Sequence, residues 1–145
     1  ARELPVTDER RTRFWITLDQ ALEFTISCLP GLQGGEIFVP KIPSMRIIDL
    51  AEAMAPEMPL DHVGIRPGEK LHEIMITEHN AHTTYDLDDR YLIEPEWSFS
   101  PRDDSRIEGI APMAEGFEYS SDTNGEWMGV PDLQAVLASL PDESK

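Results

Sequence analysis

The sequence predicts an α/β fold built of short strands and helices. Between residues 34 and 65 the pattern alternates: "EIFVP" is β-prone, "IIDLAEAMAP" has apolar residues at helical spacing, and "LDHVGI" is β-prone again. The chain has 145 residues, of which 40% are hydrophobic, and this is enough for one domain with its own core. These observations favour a single domain over 1–145.

The first predicted helix follows Thr17. Thr17 and Gln20 match a capping box, in which side chains satisfy the first free backbone N–H groups, and Pro30-Gly31 ends the helix. We expect the residues at helical spacing to face the core: Leu18, Leu22, Ile26 and Leu29. Cys28 falls within this apolar pattern and is predicted to be a buried thiol.

A strand and a second helix are expected next. Gly34-Gly35 provides a turn before the strand "IFVP". In "IIDLAEAMAP", Asp49 lies near the helix start, where a carboxylate favours the helix dipole, and Pro56 lies near its end. The segment "LDHVGI" is the following strand.

The remaining segments carry weaker signals. "EKLHEIMI" has apolar residues at helical spacing and is predicted to be a helix that begins at Glu69. "TTYDLDDRYLIEP" alternates and predicts one or two strands. Turn formers and charges over 95–116 predict a long loop, and Pro131 in a first turn predicts a C-terminal helix over 131–140.

Charge and composition exclude several function classes. Acidic residues outnumber basic ones 28 to 12, and the formal net charge of −16 argues against nucleic acid and against anionic membrane surfaces as partners. No apolar run approaches the ~18–20 residues of a membrane span. A lone cysteine suits a reducing cytoplasm. No metal is expected, because "HEIMI" lacks the second histidine, four residues after His72, that a zinc-binding helix of this type needs. A start without methionine suggests a chain cut from a longer one.

One stretch, "GIRPGEKLHE", favours an anion site. Arg66 precedes a Pro-Gly turn, so its guanidinium and the turn amides can converge on one point, with Glu69 and Lys70 expected at a helix N-terminus. Phosphate fits because arginine binds its oxygens bidentately and glycine allows close backbone approach, while Glu69 would accept from a ribose hydroxyl. Arg13 and Lys41 are weaker candidates: Arg13 could stack on an aromatic ring or pair with a carboxylate, and Lys41 could be solvated.

Four stretches together resemble a known family. "TDERRTRFWITLDQALEF", "GGEIFVPKIPSMRIIDLAEAMAP", "GIRPGEKLHEIMI" and "YSSDTNGEWM" are similar, in the same order and with similar gaps, to the C-terminal part of bacterial inverting UDP-N-acetylglucosamine 4,6-dehydratases. These enzymes are extended short-chain dehydrogenases/reductases. The resemblance runs from about residue 3 to about residue 129 and implies a small substrate-binding portion without the N-terminal Rossmann half.

The resemblance implies site residues that bind substrate and none that are catalytic. Arg13 and Arg66 would bind the nucleotide diphosphate, Glu69 would contact the ribose side with Lys70 nearby, and the "KIPS" stretch would line the nucleotide pocket. The complete set is Arg13, Lys41, Pro43, Ser44, Arg66, Glu69 and Lys70.

The residues for cofactor chemistry are missing from this sequence. It contains no G-x-G-x-x-G, and Tyr85, Tyr91 and Tyr119 have no lysine four residues later. In the family, NADP takes hydride from C4 of the sugar, water leaves across C5 and C6, and hydride returns to C6 with inversion at C5. The resemblance therefore implies a lyase whose NADP site lies in an absent half, and a 145-residue chain that binds no cofactor and is inactive by itself.

Three hypotheses follow. The first is the UDP-sugar-binding part of a cytoplasmic enzyme of surface polysaccharide or flagellin sugar biosynthesis, with the N-terminal half as partner and a homo-oligomer as the complete form. The second is a stand-alone, non-catalytic nucleotide-sugar binding module. The third is an inactive truncated product. If a lobe is missing, Phe14, Trp15 and Ile16 are candidates for an exposed apolar face.

Overall fold

The computed structural model describes residues 3–97 and 101–140 and confirms a mixed α/β fold of short elements. The helices are α1 Leu18–Cys28, α2 Ile47–Met54 and α3 Val130–Ser139. Short 3₁₀ turns are Leu29–Gly31, Glu78–Thr83 and Asp104–Ile107. The strands are β1 Leu4–Val6, β2 Thr12–Phe14, β3 Ile37–Pro40, β4 Ser44–Arg46, β5 Leu60–His62, β6 Ile74–Ile76, β7 Thr84–Asp86, β8 Arg90–Ile93 and β9 Tyr119–Ser120.

The described residues form two compact units. The first unit contains 3–15, 43–73 and 121–140, and the second contains 16–42, 74–97 and 101–120. No helix in the described parts of the chain is long and apolar enough to cross a membrane.

The first unit combines two strand pairs with two packed helices. β1 pairs in parallel with β5, and β2 pairs antiparallel with β4. α2 packs on α3, whose Leu133 is completely buried. α2 ends where the sequence predicts, because Ala55, which precedes Pro56, leaves the helical region with φ −148° and ψ 69°.

The second unit is built on a three-stranded antiparallel sheet in the order β3-β8-β7. β8 is central, and its Leu92 has no exposed surface. β6 pairs antiparallel with β9. The predicted strands at "IFVP" and "TTYDLDDRYLIEP" are therefore confirmed, the second as β7 and β8.

The predicted capping box of α1 is confirmed. The backbone N–H of Gln20 donates to Thr17 Oγ1 at 3.3 Å, and the N–H of Thr17 donates to Gln20 Oε1 at 3.0 Å.

We expect Thr17→Ala to lower the free energy of unfolding by about 1 kcal/mol, since one helix N–H loses its acceptor. Urea denaturation of the 145-residue chain would measure this, with Thr25→Ala in the same helix as the control. An equal loss in both variants would contradict a capping role.

The predicted inward face of α1 is wrong. Leu18, Leu22, Ile26 and Leu29 are 85%, 56%, 56% and 57% exposed. The opposite side is the covered one, where Phe24 lies under Arg90 and Cys28 is buried as predicted. The described residues therefore leave the apolar stripe that begins at Leu18 uncovered. Residues 14–16, the predicted candidates for an exposed apolar face, are half-buried.

The predicted helix from Glu69 is also wrong. The segment after the Pro-Gly turn is a bend that leads into strand β6. Its backbone groups bond to other segments instead of to one another: the N–H of Thr12 donates to the carbonyl of Leu71 at 3.1 Å, and the N–H of Ser121 donates to the carbonyl of Glu73 at 2.8 Å. These bonds replace the i to i−4 ladder that a helix needs.

The described part of the predicted long loop that contains Arg102 and Arg106 is fixed by an ion cluster of Glu36, Glu94, Arg102 and Arg106, all in the second unit. Arg102 Nη2 lies 2.9 Å from Glu36 Oε2 and 2.7 Å from Glu94 Oε2. Arg106 Nη1 lies 3.3 Å from Glu36 Oε1, and its Nη2 lies 2.5 Å from Glu94 Oε1. The Glu36 side chain is 0% exposed, so two positive and two negative charges meet away from solvent.

Candidate functional site

The strongest candidate cation of the first unit is the side chain of Arg66, which lies on a tight turn. The turn covers residues 66–69, and in it the N–H of Glu69 donates to the carbonyl of Arg66 at 3.1 Å. Gly68 has φ +87°, which fits the third position of a type II turn, and proline suits the second position. The N–H of Arg66 also donates to Glu69 Oε2 at 3.2 Å, so the glutamate closes the turn on itself.

The cationic side chains of this turn are accessible. Arg66 and Lys70 are both exposed, and within the described residues neither side chain makes a hydrogen bond or an ion pair. A Cβ added to Gly68 would meet nothing within 4 Å, so the turn backbone is also open to a ligand. The predicted convergence of cations and turn amides is therefore geometrically possible at Arg66, although not at a helix N-terminus.

Arg13 is held by the segment that follows the turn. Its Nη1 donates to the carbonyls of Thr12 and Leu71 at 2.5 and 3.0 Å, and its Nη2 donates to the carbonyl of Lys70 at 3.1 Å. Its Nε lies 3.3 Å from Glu73 Oε1. Burial first, and nearby Arg11 second, hold the pKa of the Arg13 guanidinium below its usual value. These contacts favour the alternative of a paired arginine, and its diphosphate contact stays a prediction.

Arg11 was missed by the sequence reasoning. Its Nη1 lies 2.5 Å from Thr7 Oγ1 and 3.4 Å from Glu69 Oε2, so it supports the carboxylate that closes the turn. Its Nε is buried and has no hydrogen-bond partner in the described structure. The signal that could have revealed it is the alternation in "RTR", which places Arg11 and Arg13 on the same side of an extended chain.

A hydroxyl network on the other side of β2 was also missed. Thr12 Oγ1 lies 2.9 Å from His72 Nδ1 and 2.6 Å from Ser121 Oγ. Ser121 Oγ also accepts from the N–H of Glu73 at 2.9 Å. Thr12 and Ser121 are buried, so this network and Arg13 together fix the residues that follow the turn.

Ser44 and Pro43 lie in the first unit as scaffold residues. Ser44 is completely buried, and its Oγ accepts from Asn124 Nδ2 at 3.1 Å. The carbonyl of half-buried Pro43 accepts from the N–H of Trp15 at 2.9 Å. In this structure Ser44 presents no surface to a ligand, and its predicted place in a nucleotide pocket stays a prediction.

Lys41 belongs to the second unit. Its Nζ lies 2.6 Å from Asp86 Oδ1 and 4.8 Å from the centroid of the Tyr91 ring. The lysine is therefore paired and not merely solvated. Its predicted nucleotide contact stays a prediction. Within the described parts of the chain, no group of three or more His, Cys, Asp and Glu side chains could hold a metal ion.

Comparisons with known proteins agree with the family resemblance. The inverting UDP-N-acetylglucosamine 4,6-dehydratases of Campylobacter jejuni serotypes O:2 and O:23/36 are 45% and 42% identical to this chain, in matches that cover 94% of this chain and 42% of each relative. The X-ray structure of Pen from Bacillus thuringiensis matches with a TM-score of 0.75 and 27% identity over 94% of this chain and 41% of Pen.

The chain thus spans less than half the length of these relatives. The predicted resemblance to the dehydratases is confirmed by the 45% identity. A family model described as "Polysaccharide biosynthesis protein" matches residues 1–95. Because that match covers most of the sequence, the chain belongs to the polysaccharide biosynthesis protein family.

Proposed function

We propose that this chain is the UDP-sugar-binding part of an NADP-dependent UDP-N-acetylglucosamine 4,6-dehydratase that serves bacterial surface polysaccharide or flagellin sugar biosynthesis in the cytoplasm. The observation that carries this proposal is the exposed guanidinium of Arg66, which has no partner among the described residues and lies on a turn with an open backbone. The names of the 45% and 42% identical relatives supply the substrate class.

The diphosphate would be held at the turn. The guanidinium of Arg66 can donate two parallel hydrogen bonds to phosphate oxygens, and Lys70 adds a point charge. The whole chain has a net charge of −16, which opposes the binding of an anion. Arg66 and Lys70 must therefore attract the diphosphate at short range, where their charges outweigh those of more distant carboxylates, which are screened by salt.

The mechanistic role of such a site is to position the sugar. Glu69 already accepts from the N–H of Arg66, so it fixes the turn before a ligand arrives. Arg13 and Ser121 fix the residues behind the turn, which lowers the conformational entropy that binding must remove. Contacts to the diphosphate, far from the reacting carbons, then orient the sugar for chemistry at another site.

The residues of this chain do not fit a dinucleotide site. The sequence has no G-x-G-x-x-G turn, and no tyrosine is followed by lysine four residues later. We therefore assign no residue of this chain to NADP and derive no hydride step from it. The proposal places that chemistry in the part of the longer relatives that this chain does not span, and we expect the 145-residue chain alone to be inactive.

Calorimetric titration with UDP and with uridine tests the proposed function. We expect UDP to bind the 145-residue chain at least about tenfold more tightly than uridine, because only UDP offers phosphate oxygens to charge-assisted hydrogen bonds. The difference should shrink as salt is raised. Equal affinity for the two ligands, or no binding by a chain that circular dichroism shows to be folded, would contradict the proposal.

A further inference from the structure

Helix α1 has apolar residues on two sides. On one side, the Arg90 guanidinium lies 5.0 Å from the ring centroid of Phe24, and Arg90 Nη1 donates to Cys28 Sγ at 3.1 Å. On the other side lies the outer stripe, defined as Leu18, Leu22, Ile26 and Leu29, each more than half exposed. Only the first side is covered within the described residues.

The outer stripe is continuous along the helix. Its members follow one another at steps of four, four and three residues, which at 3.6 residues per turn places them within an arc of roughly 80°. A helix that is apolar on two sides is typically buried on both. An apolar patch of this kind on a charged protein marks an interaction surface.

We infer that the outer stripe is covered by the polypeptide that makes up the remaining length of the longer family members. This chain corresponds to 42% of each dehydratase relative, so each relative carries additional polypeptide that this chain does not span. The inference rests on the proposed function in one respect, since both place this chain within a larger enzyme.

Charge decides between that occupant and a second copy of the chain. Asp19 and Glu23 lie beside the outer stripe on exposed positions of α1, and the whole chain has a net charge of −16. Two copies that meet at this stripe would bring like charges together, whereas a partner surface with an apolar centre and a neutral or basic rim would not. The occupant is therefore a different polypeptide surface.

Cysteine labelling tests the inference. A chimera is made in which this chain replaces the matched segment of the Campylobacter jejuni serotype O:2 relative, and Leu22→Cys and Ser27→Cys are introduced separately into the chimera and into the 145-residue chain. Ser27 is an exposed position of α1 outside the outer stripe and is the matched control. Buried Cys28 reports whether each protein is folded, because its thiol reacts with maleimide only when the unit opens.

We expect the Leu22→Cys thiol to react at least about tenfold more slowly in the chimera than in the 145-residue chain, with Ser27→Cys unchanged. Equal reactivity of Leu22→Cys in both proteins, with Cys28 protected, would overturn the inference. Protection in the 145-residue chain that rises with its concentration would identify a second copy as the occupant and would also overturn it. If the chimera does not fold, the part of the relative that this chain does not span is co-expressed with the 145-residue chain as a separate polypeptide. We then expect Leu22→Glu to reduce the co-purification of the two polypeptides, and an unchanged yield would overturn the inference.

The outcome is separable from that of the proposed function. UDP calorimetry on the same Leu22→Cys chain should match the unsubstituted chain, because Leu22 lies on α1 and is not one of the residues proposed to bind UDP. Loss of UDP binding with the stripe still protected would reject the nucleotide site alone, and the reverse pattern would reject the interface alone.

Discussion

Replacing Glu36 with glutamine is expected to lower the free energy of unfolding by about 3–5 kcal/mol. Glu36 has a completely buried side chain and contacts both Arg102 and Arg106. Without its charge, two guanidinium groups share Glu94 alone, and one buried positive charge is left without compensation. Urea denaturation at neutral pH would measure the loss.

Glu23→Gln is the matched control for this prediction, because it removes the same charge from an exposed position of α1. We expect it to change the free energy of unfolding by no more than about 0.5 kcal/mol. If Glu36→Gln were as mild as Glu23→Gln, the ion cluster would not fix the segment that carries Arg102 and Arg106 in solution.

The same carboxylate predicts acid lability. Burial on its own raises the pKa of Glu36, but hydrogen bonds from the backbone N–H of Gln33 and from Arg102 and Arg106 outweigh it and hold the pKa at about 2, below the usual 4.5. A lowered pKa in the folded state means that this stabilisation is complete above pH 4.5 and is lost as the pH falls from 4.5 towards 2. Glu36→Gln should therefore lose less stability over this pH range than the unsubstituted chain.

Replacing Arg66 with alanine is expected to weaken UDP binding by about 1.5–3 kcal/mol, which is roughly 10- to 150-fold. The guanidinium is exposed and has no partner in the described structure, so its removal costs no internal contact. The loss should appear in the affinity and leave the free energy of unfolding unchanged within about 0.5 kcal/mol. Calorimetry and urea denaturation on the same variant measure both quantities.

Arg10→Ala controls for the loss of one positive charge. Arg10 is exposed and forms an ion pair with Asp8 at 2.8 Å. We expect Arg10→Ala to change UDP affinity much less than Arg66→Ala, because the Arg10 guanidinium is already paired with a carboxylate and exposed charges are screened by salt. A similar loss in both variants would show that UDP responds to net charge and not to a bidentate contact at Arg66.

Local signals explain the elements that were predicted correctly. The capping box at Thr17, the β-prone run before Pro40 and the Pro56 helix end each act within a few residues of chain, and the structure has α1, β3 and α2 in those places. The Pro-Gly turn after Arg66 is of the same kind, since Gly68 adopts the positive φ that such a turn needs.

The helix predicted from Glu69 failed because apolar spacing alone could not decide between helix and strand. Ile74 and Ile76 alternate as in a strand, while Leu71, Ile74 and Met75 also match a helix. Hydrogen bonds from Thr12 and Ser121, which are distant in sequence, settled the outcome. Such tertiary bonds have no local pattern.

The burial of α1 failed for a different reason. Its sequence shows an apolar stripe but not which surface covers the stripe, and Phe24 and Cys28 provide a second apolar side. In the described structure, Arg90 covers that second side. The contacts of Arg13 were likewise beyond reach, because its partners Lys70 and Leu71 lie 57 and 58 residues away along the chain.

The central claim is that the turn at Arg66 binds a nucleotide diphosphate, and NMR titration of the ¹⁵N-labelled 145-residue chain with UDP tests it most directly. We expect saturable shifts of the Gly68 and Lys70 amide signals and of the Arg66 side-chain N–H signal, and much smaller shifts with uridine. Saturable UDP binding that leaves these three signals unchanged, or no shift at all in the folded chain, would contradict the claim.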